Sequence, residues 1–179
     1  MKCKCFGGED LNEFVMTNEE MQNIIGEENT MYYMLSFDYY RENPRSLRPR
    51  FNSGAFLGGI FWLAYRKMYL MAVIMMIISI ALNSFLKLIL PYDIGVGIVY
   101  LFLSMYGERI YYEHSKIKCL KVKSKLREGE DFYEKLKKHG GTNKLIVFLV
   151  VMLVGYFMVY RPISHLNGIM NELYRKLWY

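Results

Sequence analysis

The run Met68 to Leu86, MYLMAVIMMIISIALNSFL, is 19 residues long and contains no Asp, Glu, Lys or Arg. A hydrocarbon core of roughly 30 Å takes about 20 residues of helix, so this run alone is long enough to cross a bilayer. Its polar interruptions are Ser79, Asn83 and Ser84. Three more charge-free runs surround it, at 51–65, 94–107 and 145–160, with lengths of 15, 14 and 16. The chain as a whole is 53% hydrophobic and 22% charged, ordinary averages that conceal this segregation. Such patterning excludes an ordinary soluble globule, a disordered chain and a collagen-like one. The expected fold is an all-α integral membrane protein with about three transmembrane helices and one re-entrant or interfacial helix.

The runs differ in kind. Residues 51–65 would make a helix of about 22 Å, too short to span comfortably. Gly54, Gly58 and Gly59 weaken it further, while Gly54-x₃-Gly58 suits close helix contact, so a re-entrant helix packed on the spans is expected. The strongest span covers 68–90. A turn at Pro91-Tyr92-Asp93 leads to a second span over 94–110, with Tyr106, Tyr111 and Tyr112 as interfacial rings and Arg109 snorkelling. Asn83 can hydrogen-bond across helices. A third span is read at 145–160, ending at Arg161-Pro162.

Three polar regions complete the domain plan. Residues 1–50 read as short helices. Thr17 and Glu20 match a capping box, Gly26 stops the first helix, and a second over 29–41 aligns Tyr32, Leu35 and Tyr39 for packing. Residues 108–144 carry eleven basic and six acidic side chains. Ile110, Ile117, Leu120 and Leu126 there suggest a basic amphipathic helix lying on the membrane, broken at Gly140-Gly141. Residues 161–179 form an amphipathic tail. Arg45, Arg48, Arg50, Arg66 and Lys67 flank the re-entrant piece, and the turn at 91–93 lacks basic residues. These biases put the N-terminus and 108–144 in the cytoplasm and the tail outside.

At Phe51-Asn52-x-x-Ala55-Phe56, followed by Trp62-x-x-Tyr65-Arg66-Lys67-Met68-Tyr69, the chain is similar to bacterial membrane proteins grouped as domain-of-unknown-function family 2628. A hairpin, then Gly107 and a Tyr-rich basic helix, and later Gly140-Gly141-Thr142, extend the resemblance over most of 10–160. Phe14-Val15 and Tyr32-Tyr33 resemble its N-terminal landmarks. Ser53 and Gly54 stand where the family usually has tryptophan and alanine. The resemblance implies a multi-pass protein of the bacterial cell membrane and implies no activity.

Chemical constellations are sparse. Cys3-x-Cys5 has no second pair to complete a zinc site. His114, His139 and His165 read as solvated or interfacial residues. No H-E-x-x-H, G-x-S-x-G or Walker A pattern occurs. No finger, helix-turn-helix or RNP-like pattern accompanies the basic residues, so nucleic acid is not an expected partner. No cofactor is expected, and the balance leans away from an enzyme. The leading function is a non-catalytic membrane scaffold or interaction module that contacts anionic lipid or a membrane partner, including another copy of the chain. The alternatives are an accessory subunit of a transport system and a membrane enzyme acting on a lipid or phosphate-bearing substrate. Candidate contact residues are Phe51, Asn52, Phe56, Trp62, Tyr65, Arg66, Lys67 and Tyr69, with Arg66 forking onto a headgroup phosphate. Lys116, Lys118, Lys121, Lys123, Lys125 and Arg127 join them. Each cation near an anionic leaflet contributes about 1 kcal/mol. The contact should end near Arg127, where Glu128, Glu130, Asp131 and Glu134 begin.

Overall fold

The computed structural model describes residues 14–90, 94–127 and 129–178. The Cys3-x-Cys5 pair and the turn at 91–93 lie outside these residues. All regular structure among the described residues is helical. The chain divides into two units, residues 1–143 and residues 144–179.

The first unit starts with α1, Asn18–Ile25, and the expected capping box is present. Glu20 N–H donates to Thr17 Oγ1 (3.2 Å) and Thr17 N–H to Glu20 Oε2 (2.8 Å), which satisfies two donors at the helix end. Gly26, at φ 78°, stops it. In α2, Thr30–Glu42, the buried face is Tyr33, Ser36, Phe37 and Tyr40. The expected stripe is displaced by one residue: Leu35 is exposed, and Tyr32 and Tyr39 flank the contact. With tyrosines at 32, 33, 39 and 40, periodicity shows a helix and leaves the choice of face to its neighbour.

Residues 51–65 do not form one helix. They form α3, Ser53–Gly58, and α4, Ile60–Tyr65, broken at Gly59 with φ 49° and ψ −125°. Asn52 caps α3, its Oδ1 accepting from Ala55 N–H at 2.9 Å. The cause of the break lies in α6, Gly95–Ser124. A Cβ on Gly59 would sit 2.2 Å from the Tyr100 ring of that helix. The segment enters beside residues 104 and 105, through Asn52 N–H to the Ser104 carbonyl (2.8 Å) and Arg50 N–H to that of Met105 (3.0 Å). It leaves with Trp62 over Gly107, where a Cβ would meet the indole at 3.1 Å. Thus α3 and α4 make a V with its tip at Tyr100. The glycines that permit close approach are Gly59 and Gly107, whereas Gly54 faces Asn52 and Trp62 of its own segment.

The longest apolar run becomes α5, Tyr69–Leu86. It packs on α6 where Gly95 passes Asn83, with no room for a Cβ and with Gly95 N–H donating to Asn83 Oδ1 at 3.2 Å. This is the cross-helix role expected of Asn83. Among the described residues α5 is the one helix long and apolar enough to cross a membrane, and only 11% of it is buried inside the protein. The all-α expectation holds, while a set of three such helices is not found there.

The charge-free run after α5 and the start of the basic stretch form one element, α6, which runs unbroken for 30 residues, about 45 Å. Its inward face beyond Gly107 is Glu108, Tyr111, Tyr112, Ser115, Lys116, Cys119, Leu120 and Val122, so of the expected apolar stripe Leu120 is buried while Ile117 and Leu126 are exposed. Phe37 packs edge-on against Tyr111 and Tyr112, each at 5.2 Å, so these two rings serve the core. Arg109 bonds the Pro44 carbonyl (2.5 Å) and Glu113 (2.6 Å). Next comes α7, Phe132–His139, capped by Asp131, whose Oδ1 accepts from Tyr133 N–H at 2.9 Å. Gly140 and Gly141 then pass the end of α1, and Gly141 N–H donates to the Ile24 carbonyl at 2.8 Å. A Cβ on Gly140 would lie 2.4 Å from that oxygen, and Gly141 has a φ of 68°, which together explain the glycine pair.

The second unit is α8, Lys144–Trp178, 35 residues. The helix does not end at Arg161-Pro162, so the apolar run and the tail are one element. Proline lacks an N–H but holds a helical φ, which lets the helix continue at the loss of one hydrogen bond.

Candidate functional site

Glu108 is fully buried in α6. A buried carboxylate must be matched by donors or it loses its charge, and four residues converge on it. Tyr32 OH donates to Oε1 and Ser36 Oγ to Oε2 at 2.5 Å, both from α2. Asn52 Nδ2 reaches Oε1 at 3.4 Å, and Arg50 Nε lies 3.5 Å from Oε2. Burial first, then the hydrogen bond to Glu108, raises the pKa of Tyr32 above its ordinary value. Neither Glu108 nor its partners Ser36 and Arg50 stand among the contact residues that the sequence suggests. The signal was present in α6: Ser104, Glu108, Tyr111, Ser115 and Cys119 recur at heptad-like spacing, and all are buried.

Asn52 connects this carboxylate to a second buried charge. Its Nδ2 also donates to Tyr33 OH (3.1 Å), which accepts from Trp62 Nε1 at 3.3 Å. The Tyr33 ring lies under the Arg66 guanidinium at 4.1 Å, with the Tyr111 and Tyr65 rings at 5.3 and 5.7 Å. Arg66 Nη2 donates to the Glu28 carbonyl at 3.3 Å. Aromatic faces attract a desolvated cation and stand in for part of its lost water. Burial pushes Tyr111 up to about 12, against the pull of Arg66. Arg66 is 1% exposed, so it holds the core together and offers no face to a headgroup phosphate. Tyr65 joins the same box, and Asn52 and Trp62 are likewise buried, whereas Phe51 and Phe56 are exposed, their rings tilted against each other at 5.7 Å. Tyr69 is exposed, its hydroxyl accepting from Asn143 Nδ2 at 2.9 Å.

The six cations of the basic stretch do not share one surface. Lys116 is buried beside Tyr112 (5.8 Å) and Glu113 (3.9 Å). Lys123 pairs with Glu20 at 2.9 Å over the Phe14 ring. Arg127 donates its backbone N–H to Glu130 Oε2 at 2.7 Å. Lys118, Lys121 and Lys125 recur at i, i+3 and i+7 and face α7. With Val122, Lys135 and His139 they line a cleft of about 400 Å³. Lys118 Nζ donates to the carbonyls of Lys67 (3.0 Å) and His139 (3.5 Å), and Lys67 Nζ to that of Lys138 (3.2 Å). These cations cap the negative end of α7. Burial, then Lys67, lowers the Lys118 pKa to about 8. His114 is partly buried rather than solvated, and burial, then Lys118, lowers it to about 4. Among the described residues no three His, Cys, Asp or Glu side chains are placed to hold a metal ion.

Fold and site together define an all-α protein that carries an outward-facing apolar helix beside a helical cap with a charged, aromatic interior. The chain belongs to the family described as protein of unknown function, DUF2628, whose model matches residues 13–116. The match takes in Tyr33, Asn52, Trp62, Arg66 and Glu108, and ends before α7 and the Gly140-Gly141 crossing. No curated protein and no solved structure matches the chain.

Proposed function

We propose that this chain is a membrane-embedded, non-catalytic interaction module. In this reading α5, the first part of α6 and the apolar half of α8 cross the bilayer, and α3–α4 re-enters it. The cap of α1, α2, α7 and the end of α6 faces the cytoplasm and contacts anionic lipid or a membrane partner. The observation that carries the reading is the outward apolar surface of α5, where Leu70, Val73, Ile77, Ile80 and Phe85 stay exposed along 18 residues. That helix is about 27 Å long, close to the roughly 30 Å of a hydrocarbon core. The V of α3–α4 supports re-entry, since its tip at Tyr100 lies seven residues, about 10 Å, below Gly107 along α6. Exposed Phe56, Leu57 and Phe61 would face acyl chains. Where this segment begins, Tyr32, Tyr39, Arg48, Pro49, Arg50 and Phe51 line a cleft of about 450 Å³. Guanidinium groups beside rings at headgroup depth suit a lipid phosphate.

Alkaline carbonate extraction and cysteine accessibility test this reading. The protein should stay in the membrane pellet. In a background without native cysteines, an impermeant thiol reagent applied to intact cells should label Tyr92→Cys and spare Glu130→Cys. Release into the supernatant, or the opposite labelling pattern, overturns the proposal.

A further inference from the structure

We infer that the cleft between α6 and α7 binds a small phosphate-bearing anion. Five cationic or protonatable groups, Lys118, Lys121, Lys125, Lys135 and His139, converge on about 400 Å³. Compensation from the protein is slight. Glu130 bonds Lys135, and no carboxylate among the described residues pairs with Lys118, Lys121 or Lys125. Like charges gathered in a partly desolvated cleft repel one another, and a bound anion removes that cost. Elsewhere on α6 the same residue type is neutralised internally, by Glu113 at Lys116 and by Glu20 at Lys123. Among the described residues of α6, the lysines without a carboxylate partner are therefore those of this cleft.

The wall is preorganised for such a ligand. Two of the three ammonium donors of Lys118 are spent on the carbonyls of Lys67 and His139, which fixes the third. Lys121 follows one turn later and Lys125 one turn beyond, a spacing that can bring separate ammonium groups onto the oxygens of one phosphate or two linked ones. Val122 is the one apolar residue of the lining, the aliphatic stems of the lysines add further apolar surface, and the volume lies within the range of small-molecule sites. Lys118 gives the site a pH dependence. Burial, then Lys67, lowers its proton affinity, and the titratable and charged groups facing it are His114, Lys121, Lys125, Lys135, His139 and Glu130, so the cleft loses positive charge as pH rises through about 8.

The source of the phosphate follows from the length of α6. If the membrane reading above holds, Tyr69 and Arg109 mark the bilayer edge. Lys121 then stands twelve residues, about 18 Å, further along the helix. Screening at physiological salt acts over about 8 Å, so Lys121 and Lys125 at the far end of the cleft favour a soluble phosphorylated compound, while Lys118, bonded to the Lys67 carbonyl, stands nearer the edge.

Calorimetric titration of the full chain in a neutral detergent, with pyrophosphate as the probe, tests the inference. Saturable binding is expected at pH 7, weakening at pH 9 and at higher salt. The double variant K121Q/K125Q should bind about tenfold more weakly or worse, and R45Q should bind as the parent does. Absence of saturable pyrophosphate binding, or equal binding by K121Q/K125Q, overturns the site. A parallel arm measures retention of phosphatidylglycerol in nanodiscs. Loss of retention in K121Q/K125Q without any pyrophosphate binding assigns these lysines to headgroups and also overturns the inference. Carbonate extraction reads the membrane proposal separately, since the cleft needs only α6 and α7.

Discussion

The Arg66 guanidinium rests 4.1 Å above the ring of Tyr33, a residue 33 positions earlier in the chain. The hydroxyl of that tyrosine accepts hydrogen bonds from Asn52 and Trp62, and Asn52 also reaches Glu108. Tyr33 therefore stands between the two fully buried charges of the cap and joins α2 to α3, α4 and α6. Neither charge meets the other directly; one is held by aromatic faces and a carbonyl, the other by hydroxyls, an amide and Arg50.

Substitutions at this pair separate ring from hydroxyl. Tyr33→Phe keeps the ring beneath Arg66 but leaves Asn52 Nδ2 and Trp62 Nε1 with a lost acceptor, at a cost of about 1–3 kcal/mol. Arg66→Lys replaces a planar, weakly hydrated cation by a compact, strongly hydrated one, and a loss of about 2 kcal/mol or more is expected. Thermal unfolding in detergent measures both, and unchanged midpoints would remove the network as a source of stability.

Glu108→Gln and Glu108→Ala should differ in size. Glutamine preserves part of the hydrogen bonding from Ser36 and Tyr32 and loses the charge facing Arg50. Alanine leaves those donors and Asn52 without an acceptor and opens a cavity, so a cost of about 3–5 kcal/mol is expected. Chemical denaturation of both variants checks the order. Equal losses would mean that the charge, and not the acceptor capacity, matters at this position.

Acid should weaken the fold through His114. Its folded pKa lies near 4, below the ordinary 6.5, with burial as the first cause. The unfolded chain therefore takes up the proton first as pH falls. Stability from this group is intact above about pH 6.5 and is lost as pH drops towards 4. Denaturation midpoints at pH 7 and pH 5 should differ less in His114→Gln than in the parent. An identical pH slope in both would show that His114 titrates normally.

Gly59 is held by two separate constraints. Its φ of 49° disfavours a side chain, and the Tyr100 ring fills the space a Cβ would take. Gly59→Ala should lower stability more than the roughly 1 kcal/mol of a backbone effect alone. Adding Tyr100→Ala should restore the steric part and not the backbone part, a coupling that a double-mutant cycle reads directly. Simple additivity of the two losses would show that the contact is not tight.

Several local features were legible because their causes are local. The capping box at Thr17 and Glu20 and the stop at Gly26 depend on residues within a few positions of each other, and the glycines at 140 and 141 read as a helix break although it is Ile24 of α1 that requires Gly140. The choice of faces was not legible. Leu35 belongs to an apolar pattern and is exposed, while Ser36 is polar and buried, because Ser36 meets Glu108 across 72 positions of sequence. Arg66 beside Lys67 reads as a headgroup or topology signal from charge alone. Its burial depends on Tyr33 and Tyr111 arriving from two other helices. The lysines of α6 looked like one surface because spacing along a helix does not say which turn meets α1 and which meets α7.

By itself the sequence determined that the chain is helical, where its charge-free runs lie, and the family to which it belongs. These follow from composition, from periods of three to four residues and from short motifs. Tertiary structure alone decided that residues 51–65 fold into a broken V, that one helix carries both the apolar run and the basic stretch, and that Glu108 and Arg66 turn inward. The physical reason is that a polar or charged side chain is placed by whatever can replace its water. For these two residues the replacements are Tyr32, Tyr33, Ser36, Asn52 and Tyr111, which only packing brings together.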